Sequence, residues 1–220
     1  MKYRQISKPL AAVCDIQSGL TVKRGLKPFP EEIAGGIPAI QLRDVSDKYE
    51  RGLAGLDRYK LEGSVARYEV RGGDVLFRSR GPRNEAILIT PQTEGTAVAV
   101  QPLLILRPIP NVLDPRYLAW FINQPHAQRH FDGCARGTSM RMIPKRCLEE
   151  LEIALPELET QKRIAEISAL AAQEHALAIR LAEKKLEFTN FALLEQVQNA
   201  RPHGNGTGRS SPRKPKGRAG

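Results

Sequence analysis

The sequence predicts an α+β protein with a β-rich N-terminal domain, one long helix and a basic C-terminal tail. Short apolar runs interrupted by Gly and Pro fill residues 1–110, a pattern typical of strands. Residues 158–198 contain no Pro and no Gly, which favours one continuous helix. The chain has 220 residues and is 41% hydrophobic, so its N-terminal part is large enough to bury a core.

Four apolar runs are predicted to form the β-structure. They are Ile37 to Val45, Val70 to Phe77, Ala86 to Thr90 and Ala97 to Leu106. The Gly-Gly-Asp sequence at 72–74 predicts a tight turn or bulge within the second run. Because residues 103–106 are continuously apolar, we expect a central strand there that is covered on both faces.

A shorter helical region follows the strands. Asp114 is a good N-cap, and Pro115 suits the first helical position. The helical pattern extends to about Phe131 and stops near Gly133. Pro125 leaves open a division of this region into two helices.

The long helix is predicted over residues 158–198 and would extend about 60 Å at roughly 1.5 Å per residue. Its large apolar side chains recur at heptad spacing, which predicts a partner helix. This helix stripe consists of Ile167, Leu170, Leu177, Leu181, Phe188 and Phe191. The alternative is that the stripe packs on its own domain. That alternative is disfavoured because such a helix would overhang a domain of about 15 Å radius.

Charged residues are unevenly distributed along the chain. Residues 1–150 have 23 Lys/Arg and 16 Asp/Glu, a net charge of +7, whereas residues 151–200 have 5 and 8, a net charge of −3. Residues 201–220 have 6 basic and no acidic residues, and their Gly, Pro and Ser content predicts disorder. Two basic regions favour a polyanion such as nucleic acid, and the alternative is that the charge serves solubility alone.

Candidate DNA-contacting residues occur in groups at predicted loops. Arg and Asn can form bidentate hydrogen bonds with guanine and adenine edges, and hydroxyls and cations around a glycine suit phosphate oxygens. The groups are Arg78, Arg80, Arg83 and Asn84; Arg136, Thr138, Ser139, Arg141 and Lys145; and Thr21 and Lys23, with Arg43 at the end of a strand. The alternative for any single arginine is a solvated surface charge, but several groups favour a shared anionic partner.

The sequence contains no convincing catalytic or metal-binding pattern. His126 and His130 are four residues apart, but Ala, Gln and Arg lie between them and no third ligand is evident. Cys14, Cys134 and Cys147 form no CxxC pair, and this odd, unpaired set is typical of a reducing cytosol. We therefore expect no metal and no cofactor. A cytoplasmic location is expected, because no apolar run is long enough to span a membrane.

A continuous pattern spans the junction between the N-terminal domain and the long helix. Gly, Thr and Ser at 137–139 precede a short apolar strand, Leu151 to Leu155. The sequence Leu-Pro-x-Leu-x-x-Gln-x-x-Ile follows, formed by Leu155, Pro156, Leu158, Gln161 and Ile164. This order resembles the DNA-specificity subunits of type I restriction-modification systems. Weaker landmarks in the same order are Ile16 with Gly19, Ile37 to Val45, Val70 to Leu76, and Leu113 to Leu118.

The resemblance implies a fold, a function and a set of partners. In that family the recognition domain is a twisted, mostly antiparallel β-sheet with helices, and its loops enter the DNA major groove. This implies a target recognition domain at 1–150, a strand and spacer helix at 151–200, and a basic tail at 201–220. It also implies that adenine methyltransferase subunits dock on the spacer helix and that a separate motor-nuclease subunit cuts DNA. The chain itself would then perform no chemistry.

The sequence departs from the family pattern in having one recognition domain and one spacer helix, with no internal repeat. It resembles a half-length subunit, which would pair with a second copy through an antiparallel 158–198 helix, or with a different half-subunit. A homodimer would recognise an interrupted palindrome. The rival hypothesis is an adapter that binds nucleic acid or protein without sequence preference. A stand-alone enzyme would need a catalytic cluster, which the sequence does not offer.

Overall fold

The computed structural model describes residues 6–22, 36–45, 50–61, 63–81, 83–135 and 141–199. Within these ranges ten strands come first, and the α-helices follow, with one strand before the last of them, as an α+β fold. The strands are β1 (Ser7–Pro9), β2 (Cys14–Ser18), β3 (Ile37–Ile40), β4 (Glu50–Arg51), β5 (Arg58–Tyr59), β6 (Glu69–Val70), β7 (Val75–Arg78), β8 (Ala86–Ile89), β9 (Ala97–Ala99), β10 (Leu103–Pro108) and β11 (Glu152–Ala154). The α-helices are α1 (Pro115–Ile122), α2 (Pro125–Cys134), α3 (Lys145–Glu149) and α4 (Leu158–Asn199). None of the helices in the described ranges is long and apolar enough to cross a membrane.

The larger sheet has the strand order β2-β10-β7-β8-β4, with β10 between two antiparallel neighbours. Residues 103–106 of β10 are at most 5% exposed, so both faces of the strand are covered. This confirms the central strand that the continuous apolar run predicts. Most strand pairs in the described residues are antiparallel, and β3 with β9 and β4 with β8 are the parallel exceptions.

A second sheet has the order β5-β3-β9-β6, and a two-stranded sheet joins β1 to β11. The run from Ala97 to Leu106 was predicted as one strand, but it is divided between the two larger sheets. The division falls at residues 100–102, where Val100 N donates to Ile40 O of β3 at 3.0 Å and Pro102 has no N–H for a ladder. Likewise, the predicted strand 37–45 ends at Ile40 and continues as a 3₁₀ helix over Leu42–Val45.

The predicted turn at residues 72–74 separates β6 from β7 and thereby moves the chain from one sheet to the other. Gly73 has φ +92°, a conformation that favours glycine. A Cβ atom on Gly72 would collide with the backbone carbonyl of Pro91. Glycine is therefore favoured at position 73 by the backbone conformation and at position 72 by the lack of space for a side chain.

Helices α1 and α2 cover one face of the larger sheet. The Asp114 carboxylate accepts hydrogen bonds from Arg116 N and Tyr117 N at 2.9 and 3.0 Å, which confirms the predicted N-cap. Pro125 begins α2, so the predicted helical region is divided in two. The rings of Phe77 on β7 and Phe131 on α2 lie 5.1 Å apart in the core between the sheet and these helices.

The start of α4 is held against the rest of the fold by Gln161, whose side chain is 1% exposed. Its Oε1 accepts from Asp114 N at 2.9 Å, and its Nε2 donates to Val112 O and Pro156 O at 3.0 and 2.9 Å. Strand β11, just before this helix, pairs with β1. The first compact unit accordingly extends to Leu170 and includes the start of α4.

The second compact unit begins at Ala171, and its described part is helical to Asn199. This agrees with the helix predicted over 158–198. All six residues of the helix stripe are between 56% and 72% exposed. The tail at 201–220 lies outside the described residues.

The cysteine prediction is wrong. Cys134 at the end of α2 and Cys147 in α3 form a disulfide, with their Cα atoms 6.1 Å apart, and only Cys14 is a free thiol among the described residues. The two cysteines are 13 residues apart in the sequence, so they have no CxxC spacing that would predict the pair. They meet because α2 packs against α3, a contact that the local sequence pattern does not reveal.

We predict that replacing Gln161 with leucine destabilises the protein. The substitution leaves Asp114 N, Val112 O and Pro156 O without their hydrogen-bond partner. A fully buried unsatisfied group costs about 1–3 kcal/mol, but these three bonds are only partly buried, so water offsets part of the summed cost. We expect the free energy of unfolding in urea to fall by about 2–4 kcal/mol. Gln173→Leu is the matched control at an exposed position of the same helix, where the change should stay within about 0.5 kcal/mol. Equal effects at both positions would contradict this account.

A second prediction concerns alkaline pH. Burial, and then the adjacent Asp15 carboxylate, raise the pKa of the Cys14 thiol to about 12, and burial raises the pKa of the Tyr117 hydroxyl to about 12. Both groups ionise more readily in the unfolded chain. Their contribution to stability is therefore complete below pH 9 and is lost as the pH rises through 12.

Urea unfolding at pH 7, 9 and 11 measures this loss. Cys14→Ser removes the thiol ionisation, so its stability should fall less steeply above pH 9 than that of the wild type. Parallel curves for the two proteins would show that Cys14 does not contribute.

Candidate nucleic-acid interface

Several loops meet at one end of the larger sheet. Strands β2 and β7 both run antiparallel to β10, so their C-terminal ends flank the N-terminal end of β10. Residues 19–22 continue from β2, and residues 79–85 continue from β7. Gln101 N donates to Leu20 O at 3.0 Å, and Ser79 N donates to Pro102 O at 3.2 Å. Both loops are thus anchored on the 100–102 turn that leads into β10.

Two further segments reach the same place. The end of β3 is held there by the bond between Val100 N and Ile40 O, and Arg43 lies three residues beyond it. The segment before α3 is held by Ile143 N, which donates to Ser79 O at 2.7 Å. Arg141 O accepts from Gly81 N at 3.1 Å in the same segment. We call the surface formed by 19–22, 41–45, 78–81, 83–85 and 141–145 the loop end of the sheet.

The loop end includes most of the residues that the sequence analysis predicts to contact DNA. Thr21, Arg43, Arg80, Arg83 and Lys145 are exposed, whereas Arg78 and Arg141 are partly buried and Asn84 is buried. Lys23, Arg136, Thr138 and Ser139 lie outside the described residues. The topology thus brings together three groups of residues that are far apart in the sequence.

Carboxylates oppose several of these arginines. Glu85 lies 3.9 Å from Arg78 and 3.7 Å from Arg83, measured from carboxylate oxygen to guanidinium nitrogen. Asp132 of α2 forms an ion pair with Arg141. Lys145 pairs with Glu149 one helical turn later, at 3.1 Å. Such partly exposed pairs contribute little to stability, because water screens them.

Two polar side chains hold the loop after β7. The Asn84 side chain is 2% exposed, and its Nδ2 donates to Arg78 O at 3.0 Å. Ser79 Oγ donates to Pro102 O at 2.6 Å. Gln128 of α2 adds a bond from its Nε2 to Asn84 O at 2.9 Å. In this structure Asn84 therefore positions the loop, and its contact with a base stays a prediction.

Three buried side-chain atoms in the described part of the chain have no hydrogen-bond partner. They are Arg78 Nε, Asn84 Oδ1 and Arg141 Nε. All three belong to the loop end. An unsatisfied buried polar atom costs about 1–3 kcal/mol, so these three atoms are available for hydrogen bonds with water or a ligand. Such local departures are typical of functional sites.

Arg43 is held by residues that the sequence analysis did not identify. Its Nη2 donates to Asp57 Oδ2 at 2.5 Å and to Tyr59 OH at 2.6 Å. Tyr59 OH also accepts from Gln41 Nε2 at 2.7 Å. Tyr59 is on β5, which pairs with β3, so the sheet brings these groups to Arg43. No local pattern links residues 43 and 57–59, and only the strand pairing reveals the contact.

Solved structures with this fold include specificity subunits. An HsdS subunit from Thermoanaerobacter tengcongensis has a TM-score of 0.63 and 22% identity, covering 89% of this chain and 45% of its own. A chain from a study of complex assembly and conformational transition of the type I R-M system has a TM-score of 0.61 and 22% identity, with 87% and 44% covered. The type I S subunit from M. genitalium has a TM-score of 0.53 and 16% identity, with 90% and 48% covered.

Sequence comparison agrees with the fold. The chain is 30% identical over 157 residues to a putative type I restriction enzyme MjaX specificity subunit from Methanocaldococcus jannaschii. The aligned part covers 69% of this chain and 35% of that relative. The chain thus spans about a third of this curated relative and less than half of the solved chains.

The family model for the type I restriction modification DNA specificity domain matches residues 8–199. The match begins in β1, includes every described part of the loop end, and extends to the last residue of α4. Together with the 30% identical relative, it means that this chain belongs to the type I restriction-modification DNA specificity family.

Proposed function

We propose that this chain recognises a specific duplex DNA sequence on behalf of a type I restriction-modification system. The observation that carries the proposal is the convergence of Arg43, Arg78, Arg80, Arg83 and Arg141 at the loop end, on a fold shared with specificity subunits. The net charge of +7 over residues 1–150 supports the same partner.

The loop end suits both kinds of DNA contact. Exposed arginines such as Arg83 can reach guanine edges or phosphates, and the Thr21 hydroxyl suits a phosphate oxygen. Glu85 and Asp132 neutralise arginines in the free protein, and DNA phosphates would replace them at little cost, since partly exposed ion pairs are weak. Arg78 Nε and Arg141 Nε give up no hydrogen bond when these side chains reorient.

Other parts of the assignment follow from the family. We propose that adenine methyltransferase subunits dock on α4 and that a motor-nuclease subunit completes the system in the cytoplasm. The present chain then supplies recognition and no catalytic group or cofactor. Lys23, Arg136, Thr138 and Ser139 stay predicted DNA contacts.

We further propose that two copies pair through antiparallel α4 helices. The exposed helix stripe supports this pairing, because burying one large apolar side chain is worth about 1.5–3 kcal/mol. Its six residues give about 9–18 kcal/mol per protomer before ordering and association costs. A two-fold axis near Ala178 to Leu181 would relate two identical recognition domains, which would then bind inverted half-sites.

The DNA proposal predicts that Arg83→Ala and Arg141→Ala each weaken binding to a duplex selected from a random library. A lost arginine contact should cost about 1–3 kcal/mol, or roughly 5- to 150-fold in affinity. A base contact would relax preference at one position, whereas a phosphate contact would weaken all sequences and lower the salt dependence. Fluorescence anisotropy at several salt concentrations measures both effects.

Arg163→Ala on the exposed surface of α4 is the matched control and should leave DNA binding unchanged. If both loop-end variants bound like the wild type, the surface would be wrongly assigned. If selection enriched no sequence at all, the non-specific adapter would replace this proposal.

The pairing proposal predicts that Leu181→Glu converts dimers to monomers. Residue 181 lies near the two-fold axis, so the substitution would bring two carboxylates together as well as remove two apolar side chains. Light scattering at matched concentrations measures the mass. Ala176→Glu is the control, because residue 176 is exposed but outside the heptad rows of the stripe. A wild-type monomer, or equal effects of both variants, would contradict antiparallel pairing.

A further inference from the structure

We propose that His130, Cys134 and Cys147 bind a thiophilic metal ion, of which Zn²⁺ is the test case, when the two cysteines are reduced. The nearest nitrogen and sulfur ligand atoms of these three side chains all lie within 4.8 Å of one another. The site lies between α2 and α3 and stands independently of the DNA proposal. The sequence analysis considered His126 and His130 and found no third ligand, whereas this group joins His130 to two cysteines.

The helices bring the three ligands together. His130 and Cys134 are four residues apart on α2 and therefore share one helix face. Cys147 is contributed by α3, which packs on α2. A third ligand was not evident from sequence because it comes from a second helix, 13 residues beyond Cys134.

The distances suit tetrahedral coordination. With Zn–S bonds of about 2.3 Å and Zn–N bonds of about 2.0 Å, ligand atoms around one zinc ion are separated by about 3.5–3.8 Å. The distance from His130 Nε2 to Cys134 Sγ is 3.9 Å. Once the disulfide is broken, the two sulfurs need only separate to a similar distance. Imidazole and thiolate are ligands that Zn²⁺ prefers.

The His130 ring must change its hydrogen bonding before its Nε2 can coordinate the metal ion. This nitrogen lies 2.8 Å from Cys147 O, and a carbonyl oxygen only accepts, so Nε2 carries the ring hydrogen in the disulfide form. Coordination shifts that hydrogen to Nδ1 and gives up one neutral hydrogen bond. Among the described residues no fourth side-chain ligand joins the group, which leaves one position for water.

The disulfide and the metal site exclude each other. A dithiol reductant supplies two electrons and two protons, which convert the S–S bond into two thiols while the dithiol becomes a disulfide. Metal binding then displaces both thiol protons, because thiolate is the ligand. The disulfide and the bound metal would each join α2 to α3, and Arg141 lies in the segment of chain between these two helices. The buried Cys14 thiol, whose pKa burial raises to about 12, stays protonated and serves as an internal control.

The test uses the full chain, reduced with a phosphine and freed of metal. Titration with Co²⁺ should give one ion per chain and a thiolate-to-metal absorption band in the near ultraviolet, and Zn²⁺ should displace the Co²⁺. Cys134→Ser or Cys147→Ser should abolish the band, and His130→Ala should weaken binding by more than about 100-fold. Cys14→Ser and His126→Ala should bind like the wild type. Zn²⁺ should also raise the Tm of the reduced protein.

A measurement on the wild type covers the case in which a cysteine variant does not fold. Zn²⁺ should protect Cys134 and Cys147 from maleimide, with the modified peptides identified by mass spectrometry. Alkylation of both cysteines at the same rate with and without Zn²⁺ would overturn the proposal. Failure to bind one ion per chain, unchanged binding in Cys147→Ser, or equal binding by the disulfide form would do the same.

Discussion

The structure depends on the double burial of strand β10. Its residues 103–106 are covered on both faces and paired on both edges, so a one-residue shift in register would move every one of these side chains to the opposite face of the sheet. Because β2 and β7 share this neighbour and run in the same direction, the loops that follow them leave the sheet at the same end. The 100–102 turn then holds β3 at that end through Ile40. The position of the loops after β2 and β7 at one end of the sheet follows from the pairing of one buried strand.

The buried side-chain amide of Gln161 fixes the start of the long helix α4, as β10 fixes the positions of its neighbouring strands. Asp114 caps α1 with its carboxylate, and its own N–H donates to Gln161 of α4, so one chain of hydrogen bonds fixes both helix starts. Gln161 also satisfies the carbonyls of Val112 and Pro156. An apolar residue of similar size would leave these groups unpaired in the interior. This explains why a glutamine occupies a buried position in the Leu-Pro-x-Leu-x-x-Gln pattern.

The loop end and the core follow different physical rules. Core side chains such as Phe77 and Phe131 pack closely, whereas the loop end combines weak, partly exposed ion pairs with three unsatisfied buried atoms. The first arrangement maximises stability, and the second lets side chains change partners at low cost. The disulfide between Cys134 and Cys147 links α2 to α3 beside the loop end.

Local sequence patterns were enough to predict the features that depend on neighbouring residues: the Asp114 cap, the turn at residues 72–74, the central strand and the continuous helix from 158. Each follows from steric or hydrogen-bonding rules that act within one or two turns of chain. Other features could be seen only in the tertiary structure. They are the division of the 97–106 run, the burial of Asn84, the Arg43–Asp57–Tyr59 network and the Cys134–Cys147 pair. Most of these contacts join residues more than ten positions apart, so strand pairing and helix packing must bring the partners together before any local rule can act.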